Sequence, residues 1–387
     1  MEFALSSEQT LVQENTARFA RERLAPSAKA REEAHQIDHA LIQEMAEHGL
    51  LGVNIPAAYG GSEAGVVAYA LALREVAGAD ASVAVTMAVT NMVSEVIHRF
   101  GSSAQKENYI PKLVGGEYFA GAFALSETGA GSDAAGLKTR AQKDGDAWVL
   151  NGEKMWITSG DQAGVIVVWA RTSDEGTKGI SCFLVEGDTP GLSAGKPEEK
   201  MGLRASHTVA LSLDHVRVSD AQRLGQVGEG FKIAMLALDG GRIGIGAQSC
   251  GMAAAALRES VSYAQERQQF KKNLASFQAI QFKLADMATH LEAAWALVLQ
   301  AAWLKEENQP FSQQAAMAKL YASEKANATV REAVQIFGGY GYTEEFKVAR
   351  FYRDCRVTQI YEGTSEIQRL VIARALLKQA AQSQGVS

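Results

Sequence analysis

The sequence has only three cysteines, at 182, 250 and 355, too few and too scattered to staple a secreted fold and matching no metal-ligand or redox spacing. It has no apolar run of about 18 residues, so no segment reads as a membrane span. Met1 to Gln9 lacks the basic stretch and apolar core of an export signal. There is no block of roughly five like charges, and a net charge of −6 repels polyanions, which argues against a nucleic-acid role. A reducing cytoplasm is the expected setting. Proline is also scarce, at 6 in 387 residues, and each proline inside a helix costs about 3 kcal/mol, so long uninterrupted helices are possible.

What is present is an ordinary globular composition, 47% hydrophobic and 21% charged, in a chain too long for one core. From 7 to about 116, apolar residues recur at intervals of three and four: Leu11, Phe19 and Leu24; Leu41, Met45, Leu50 and Leu51; Ala70, Leu73, Val76 and Ala77. Ser6 and Ser7 before Glu8 and Gln9 suggest a capped start, and Gly49, Gly60, Gly61, Gly78, Gly115 and Gly116 stand where helices would stop. Between about 117 and 225 the pattern changes to short β-type runs at 147–150, 165–170, 180–185 and 209–218. Val209, Leu211 and Leu213 alternate with Ala210, Ser212 and Asp214, the mark of a half-buried antiparallel strand. Helical periodicity then returns over 234–263, 277–306 and 312–337. The expectation is a mainly α protein with a small β domain: an all-α N-terminal domain (1–117), a middle antiparallel β domain (118–228) and a C-terminal four-helix bundle (229–387).

Gly129-Ala130-Gly131-Ser132-Asp133-Ala134 formally fits the G-x-G-x-x-G/A dinucleotide fingerprint, with Glu153 about 20 residues on. The context rejects it. Asp144-Gly145-Asp146-Ala147-Trp148 is a turn entering a strand, where that fingerprint needs a crossover helix. The small residues around Ser126, Gly129, Gly131 and Ser132 still permit close backbone approach to a flat or phosphorylated ligand, or form a plain loop.

Leu125-Ser126-Glu127-Thr128-Gly129-Ala130-Gly131-Ser132-Asp133 resembles one signature of the acyl-CoA dehydrogenase family, and Gln359-Ile360-Tyr361-Glu362-Gly363-Thr364-Ser365-Glu366-Ile367-Gln368-Arg369 resembles the other. Between them, Lys154-Met155-Trp156-Ile157-Thr158-Ser159-Gly160, Leu238-Asp239-Gly240-Gly241-Arg242-Ile243, Arg267-Gln268-Gln269-Phe270 and Gln335-Ile336-Phe337-Gly338-Gly339-Tyr340-Gly341 follow in the family's order. The resemblance covers nearly the whole chain and has the same α, β, α order.

The resemblance implies an FAD enzyme that oxidises an acyl-CoA to a trans-2-enoyl-CoA and passes electrons to electron-transferring flavoprotein. It places Phe123, Leu125, Ser126, Gly131 and Ser132 along the flavin, with Trp156, Ile157 and Thr158 on its other side. Arg267, Phe270, Gln278 and Gln335, Ile336, Phe337, Gly338 and Gly339 are implied to hold the pyrophosphate and adenosine across a subunit interface of a homotetramer, a dimer of dimers. Thr364 and Glu366 are further FAD contacts. Ser132, Asp239, Arg242, Tyr361 and Gly363 are implied substrate contacts, with Asp239 to Arg242 forming a turn at the start of a long helix.

Glu362 is implied to be the catalytic base. Taken alone it reads as a helix-start carboxylate, as Arg267 alone reads as a solvated helix residue and Trp156 as a core aromatic. Isovaleryl- and long-chain-specific relatives carry the glutamate at the position of Gly241, which cannot ionise here. Two residues depart from the pattern: Thr128 replaces a usual proline, and Lys271 replaces the glycine that usually follows arginine-x-x-phenylalanine. Asp239-Gly240-Gly241-Arg242-Ile243, Lys178-Gly179-Ile180-Ser181-Cys182 and Leu284-Ala285-Asp286-Met287-Ala288-Thr289 resemble short-chain and isobutyryl-type members, so a short straight or branched acyl group is expected. The alternatives are an acyl-CoA oxidase using oxygen and a flavin-free helical acyl-CoA-binding protein.

Overall fold

Among the described residues, the first part of the chain forms the α-helices α1 (Ser7–Phe19), α2 (Ala28–Ala34), α3 (His39–Glu47), α4 (Gly65–Ala79), α5 (Ala81–Phe100) and α6 (Ser103–Val114). The computed structural model describes residues 4–383, so the outermost residues of the first and third expected domains, 1–3 and 384–387, lie outside it. The expected N-terminal start is a capping box: the Ser6 hydroxyl accepts from Gln9 N while the Gln9 side chain accepts from Ser6 N. Asp80 separates α4 from α5, its carboxylate accepting from Ser82 N and Val83 N. Gly78 is not a helix stop but lies inside the last turn of α4, where its small size serves packing. A Cβ there would stand 3.1 Å from Gly251 O, and one on Gly251 only 2.2 Å from Arg74 O, so the two helices meet backbone to backbone.

The middle of the chain folds into β1 (Gly121–Ala124), β2 (Arg140–Asp144), β3 (Ala147–Thr158), β4 (Val165–Arg171), β5 (Ile180–Glu186), β6 (Leu192–Ala194), β7 (Thr208–Ser219) and β8 (Arg223–Leu224). These make one sheet in the order β6-β7-β3-β2-β4-β5-β8, with β1 on β4. Pairing is antiparallel except where β4 meets β1 and, at a single register position, β2. Val209, Leu211 and Leu213 of β7 are buried, as their alternation requires. In β4 both faces are buried: Val165, Val167 and Trp169 join the helical core, while Ile166, Val168 and Ala170 join a second core on the far side of the sheet.

The last part consists of α7 (Gly230–Glu266), a short hairpin of β9 (Gln268–Gln269) and β10 (Lys272–Asn273), then α8 (Gln278–Glu306), α9 (Ser312–Phe337), α10 (Lys347–Cys355) and α11 (Ser365–Ser383). α7, α8 and α9 pack on one another and α11 joins them through α9, while α4 and α5 lie against α7. One apolar core therefore runs through both helical regions.

Candidate active site

The link from α10 to α11 ends in Tyr361, Glu362, Gly363 and Thr364. Glu362 has φ +54° and Gly363 φ +88°, two consecutive left-handed residues. That conformation costs a glutamate about 1–2 kcal/mol, so the loop must be held from outside. Gln368 Nε2 donates to the carbonyls of Glu362 (3.2 Å) and Gly363 (2.8 Å), and Lys319 Nζ donates to Gly363 O at 2.7 Å. Thr364 Oγ1 accepts from Ile367 N and starts α11, whose first turn buries Ser365 and Gln368 and exposes Glu366.

The held loop aims its carboxylate at α7. Glu362 Oε2 is buried without a protein partner and lies 2.6 Å from the point that a Cβ on Gly241 would occupy, with Met92 Sδ 3.3 Å from the same point. Burial pushes the carboxyl up to about 7, with the charges of Lys319 and Arg242 pulling it back. Three further buried polar atoms without partners belong to the segments that meet here: Ser365 Oγ and Gln368 Oε1 follow Glu362 on α11, and Arg242 Nε follows Gly241 on α7. Unsatisfied polar atoms gathered around a carboxylate are what a site built for a polar ligand presents.

Asp239 to Arg242 do not form the expected turn. They lie within α7, which begins at Gly230. As the helical period over 234–263 requires, the Gly-Gly pair continues an intact helix and makes a thin patch on it: a Cβ on Gly240 would lie 2.7 Å from Lys305 Nζ, as one on Gly241 would crowd Glu362. The loss of about 1 kcal/mol of helix propensity per glycine is offset by the packing of a 37-residue helix. Arg242 and Asp239 form a buried ion pair, and the Ser312 hydroxyl also donates to Asp239. The Tyr361 phenol donates to Gln248 Oε1, and burial drives its pKa well up.

A second group of expected residues forms a wall on the sheet. The Phe123 ring packs on Trp169, centroids 4.2 Å apart. Leu125 is buried, and Ser126 O accepts from Met155 N at 2.9 Å, tying the loop after β1 to β3. Gly129, Gly131 and Ser132 are exposed, and a Cβ on either glycine would meet nothing within 4 Å. In β3 the register slips between Lys154 and Ile157, which turns Trp156 outward: it has φ +65° and is 59% exposed, while Ile157 is buried and Thr158 half-buried. Trp156 is therefore not a core aromatic.

One support of this wall was not visible in the sequence. Lys154 is fully buried and donates to Glu127 Oε1 (2.8 Å) and Leu125 O (3.3 Å). Glu127 also accepts from Lys138 N and Thr139 N. Burial would raise the Glu127 carboxyl, but the Lys154 charge and these hydrogen bonds outweigh it and hold it below the usual range; burial draws Lys154 down to about 8. Partners 27 positions apart carry no periodic signal.

A third group meets elsewhere. A cavity of about 510 Å³ is lined by Tyr263, Arg267, Ile336, Phe337, Gly338 and Gly339, among others. Tyr263 stacks on Phe337 with centroids 4.0 Å apart, and the Arg267 guanidinium lies 5.4 Å from the Tyr340 ring centre. Gln278 and Gln335 are exposed and do not line the cavity. Nor does Phe270, which sits with Lys271 at the tip of the β9–β10 hairpin, both at positive φ and Phe270 89% exposed. A two-residue turn with both φ positive favours asparagine and glycine, so a glycine at 271 would relax a tip that Lys271 holds under strain. Arg267 caps α7 26 residues beyond Gly241, a separation of about 39 Å along the helix.

Three family models together match most of the chain: acyl-CoA dehydrogenase N-terminal domain over 6–117, middle domain over 122–216 and C-terminal domain over 228–377. Among solved structures, butyryl-CoA dehydrogenase from Megasphaera elsdenii is similar at TM-score 0.95 and 45% identity, over 97% of this chain and 100% of that one. A chain in the structure described as the electron transferring flavoprotein of Acidaminococcus fermentans matches at TM-score 0.96 and 44% identity, over 97% and 100%. Glutaryl-CoA dehydrogenase from Mycobacterium smegmatis in complex with FADH2 matches at TM-score 0.91 and 34% identity, over 96% and 95%.

Proposed function

Because the chain belongs to the acyl-CoA dehydrogenase family, we propose that it removes one hydrogen from each of the α and β carbons of a short straight or branched acyl-CoA, giving a trans-2-enoyl-CoA, with Glu362 as the base. The observation that carries this reading is the Glu362 carboxylate: unpartnered at Oε2, raised to about 7, and aimed at a helix face stripped of side chains by Gly241. A base whose pKa sits near neutral is suited to accept a weakly acidic α-proton. Backbone N–H groups of the left-handed loop, Glu362 among them, are candidate donors to the thioester oxygen as charge develops there.

FAD fits the residues present. The exposed Trp156, the open space over Gly129 and Gly131, and the half-buried Thr158 offer a surface for a flat ring, with Phe123, Leu125, Ser126, Ser132 and Ile157 around it. Arg267 and the Gly338-Gly339 backbone, with Ile336 and Phe337, line a cavity of a size and charge suited to a pyrophosphate; Phe270, Gln278 and Gln335 lie outside its lining, where they are exposed and open to the remainder of the cofactor, and Thr364 and Glu366 stand at the base loop. Bound FAD would supply the acceptor for the β-hydride. The protein holds the acyl chain with both C–H bonds aimed correctly, through Ser132, Asp239, Arg242, Tyr361 and Gly363, and keeps water from the carboxylate.

The spacing along α7 bears on assembly. About 39 Å separates Gly241, beside the base, from Arg267, too far for one extended dinucleotide to reach between them within a chain. A homotetramer, or at least a dimer in which Arg267 serves a neighbour, answers that distance. The short acyl preference and electron-transferring flavoprotein as acceptor draw on the butyryl-CoA dehydrogenase and flavoprotein structures the chain resembles. Among the described residues no helix is long and apolar enough to cross a membrane, and a cytoplasmic location is part of the same reading.

The test is an anaerobic titration of the purified yellow protein with butyryl-CoA. The flavin band should bleach in the wild type and persist in Glu362→Gln with FAD content unchanged. A colourless protein, or bleaching that survives Glu362→Gln, overturns the reading.

A further inference from the structure

Lys319 is a residue that neither composition nor motif singles out. It lies on α9 among Ala315, Ala318, Ala322 and Ala326, on a buried face, and is itself 0% exposed. A lysine so placed is costly unless its charge is used, because burial removes the hydration of the ammonium. Its hydrogen bond goes to a neutral acceptor, the Gly363 carbonyl, at 2.7 Å. That carbonyl already receives Gln368 Nε2 at 2.8 Å, so it needs no cation for its own satisfaction. The acceptor fixes where the ammonium sits; it does not account for the charge.

We propose that Lys319 is a positioning residue for the base: its ammonium pins the left-handed Glu362-Gly363 turn through the Gly363 carbonyl and sets a positive charge behind the Glu362 carboxylate. The inference rests on the reading of Glu362 as the base. Two independent parts of the geometry support it. The turn has consecutive φ values of +54° and +88°, and its glutamate half persists only under restraint. The carboxylate has no hydrogen-bond partner at Oε2, so nearby charge is what favours its ionised form.

Of the other groups around the carboxylate, Arg242 also draws its pKa down, after Lys319, but holds no carbonyl of the turn. Arg242 faces it from α7 but is engaged by Asp239, which also takes the Ser312 hydroxyl. Tyr69 on α4 and the adjoining Tyr361 are buried phenols whose pKa values rise through burial, and they stay neutral. Glu95 on α5 is paired with Lys305 of α8, and Glu324 and Glu366 add negative charge that favours the Lys319 ammonium. Burial is the largest influence on both partners, raising Glu362 and drawing Lys319 down to about 8, and the attraction between them opposes both shifts. Lys319 thus keeps the base available at neutral pH while leaving its oxygen free for a proton.

The experiment compares Lys319→Met, which keeps length without charge, and Lys319→Arg, which keeps charge, in FAD-loaded enzyme. The pH dependence of anaerobic flavin reduction by butyryl-CoA is measured, together with infrared titration of the protonated-carboxyl band that Glu362→Gln removes. Lys319→Met should move the acid limb and the infrared titration upward together by about one pH unit, and Lys319→Arg should leave both near their wild-type positions. A slower Lys319→Met enzyme with an unmoved limb and band overturns the charge role, as does a Lys319→Arg limb displaced as far as that of Lys319→Met. Should Lys319→Met lose FAD, the infrared titration of the flavin-free protein and the Lys319→Arg profile decide by the same criteria. Failure of the base reading is separate: it is reduction that survives Glu362→Gln.

Discussion

Glu362 Oε2 and Gly241 are so placed that a methyl group on the glycine would lie 2.6 Å from the oxygen. The absent side chain is therefore part of the site's geometry. Gly241→Ala should push the carboxylate away from its line, and a displacement near 1 Å can cost about 100-fold in rate. FAD content should be unchanged and helix propensity slightly improved, so stopped-flow flavin reduction isolates the effect. The same proximity means that a carboxylate introduced at 241 can reach the region that Glu362 serves. Gly241→Glu combined with Glu362→Gly should recover part of the activity that Glu362→Gly abolishes.

The pH dependence follows from the raised carboxyl. On the proposed role for Glu362 the base must be ionised, so kcat/KM for an acyl-CoA should fall about tenfold per pH unit below the Glu362 pKa of about 7. Stability should move the other way. The folded pKa exceeds the unfolded one, so the contribution is fully present below the ordinary carboxyl value of 4.5 and is lost as pH rises to about 7. Glu362→Gln should then be more stable than wild type at pH 8, on the order of 3 kcal/mol, and equal to it near pH 4, as read by thermal melts.

The buried Glu127–Lys154 pair is tested by breaking it. Lys154→Met leaves a carboxylate buried beside the loop after β1 and should cost about 3–5 kcal/mol by denaturant titration. The combined change Glu127→Leu and Lys154→Met should recover much of that loss. FAD retention should remain impaired in the double variant, because Leu125 O and the Lys138 and Thr139 amides lose their shared partners.

Trp156 and Arg267 should separate cofactor binding from folding. Trp156 is 59% exposed, so Trp156→Ala should change the unfolding free energy of the flavin-free protein by less than about 1 kcal/mol. Its FAD should nevertheless dissociate at least tenfold more readily, as measured by flavin fluorescence on dilution. Arg267→Ala should show the same pattern, with FAD loss that steepens as protein concentration falls.

How much of this was legible in the sequence depends on the range of the interactions. The helix over 312–337, the alternation of Val209, Leu211 and Leu213, and the Ser6–Gln9 cap rest on contacts a few residues apart, and they read directly. The turn at Asp239 to Arg242 came from the resemblance alone, while the helical period over 234–263 already ran through Gly240 and Gly241; that period could not show why the space is needed, because Lys305 and Glu362 are 65 and 121 positions away. Glu127–Lys154 and Lys319 were invisible because a buried charge is recognised by its partner. The one available signal was Lys319 standing on an alanine stripe, where lysine breaks the pattern.

The length of α7 has a consequence for inheritance. If the base at one end and the Arg267 cavity at the other serve different copies, each working centre is assembled from two chains. A chain defective at Glu362 and a chain defective at Arg267 each retain the half that the other lacks. Expressed together, two inactive proteins would form mixed oligomers in which some centres are whole, so the two lesions would complement one another as alleles do, whereas two lesions on the Glu362 side would not.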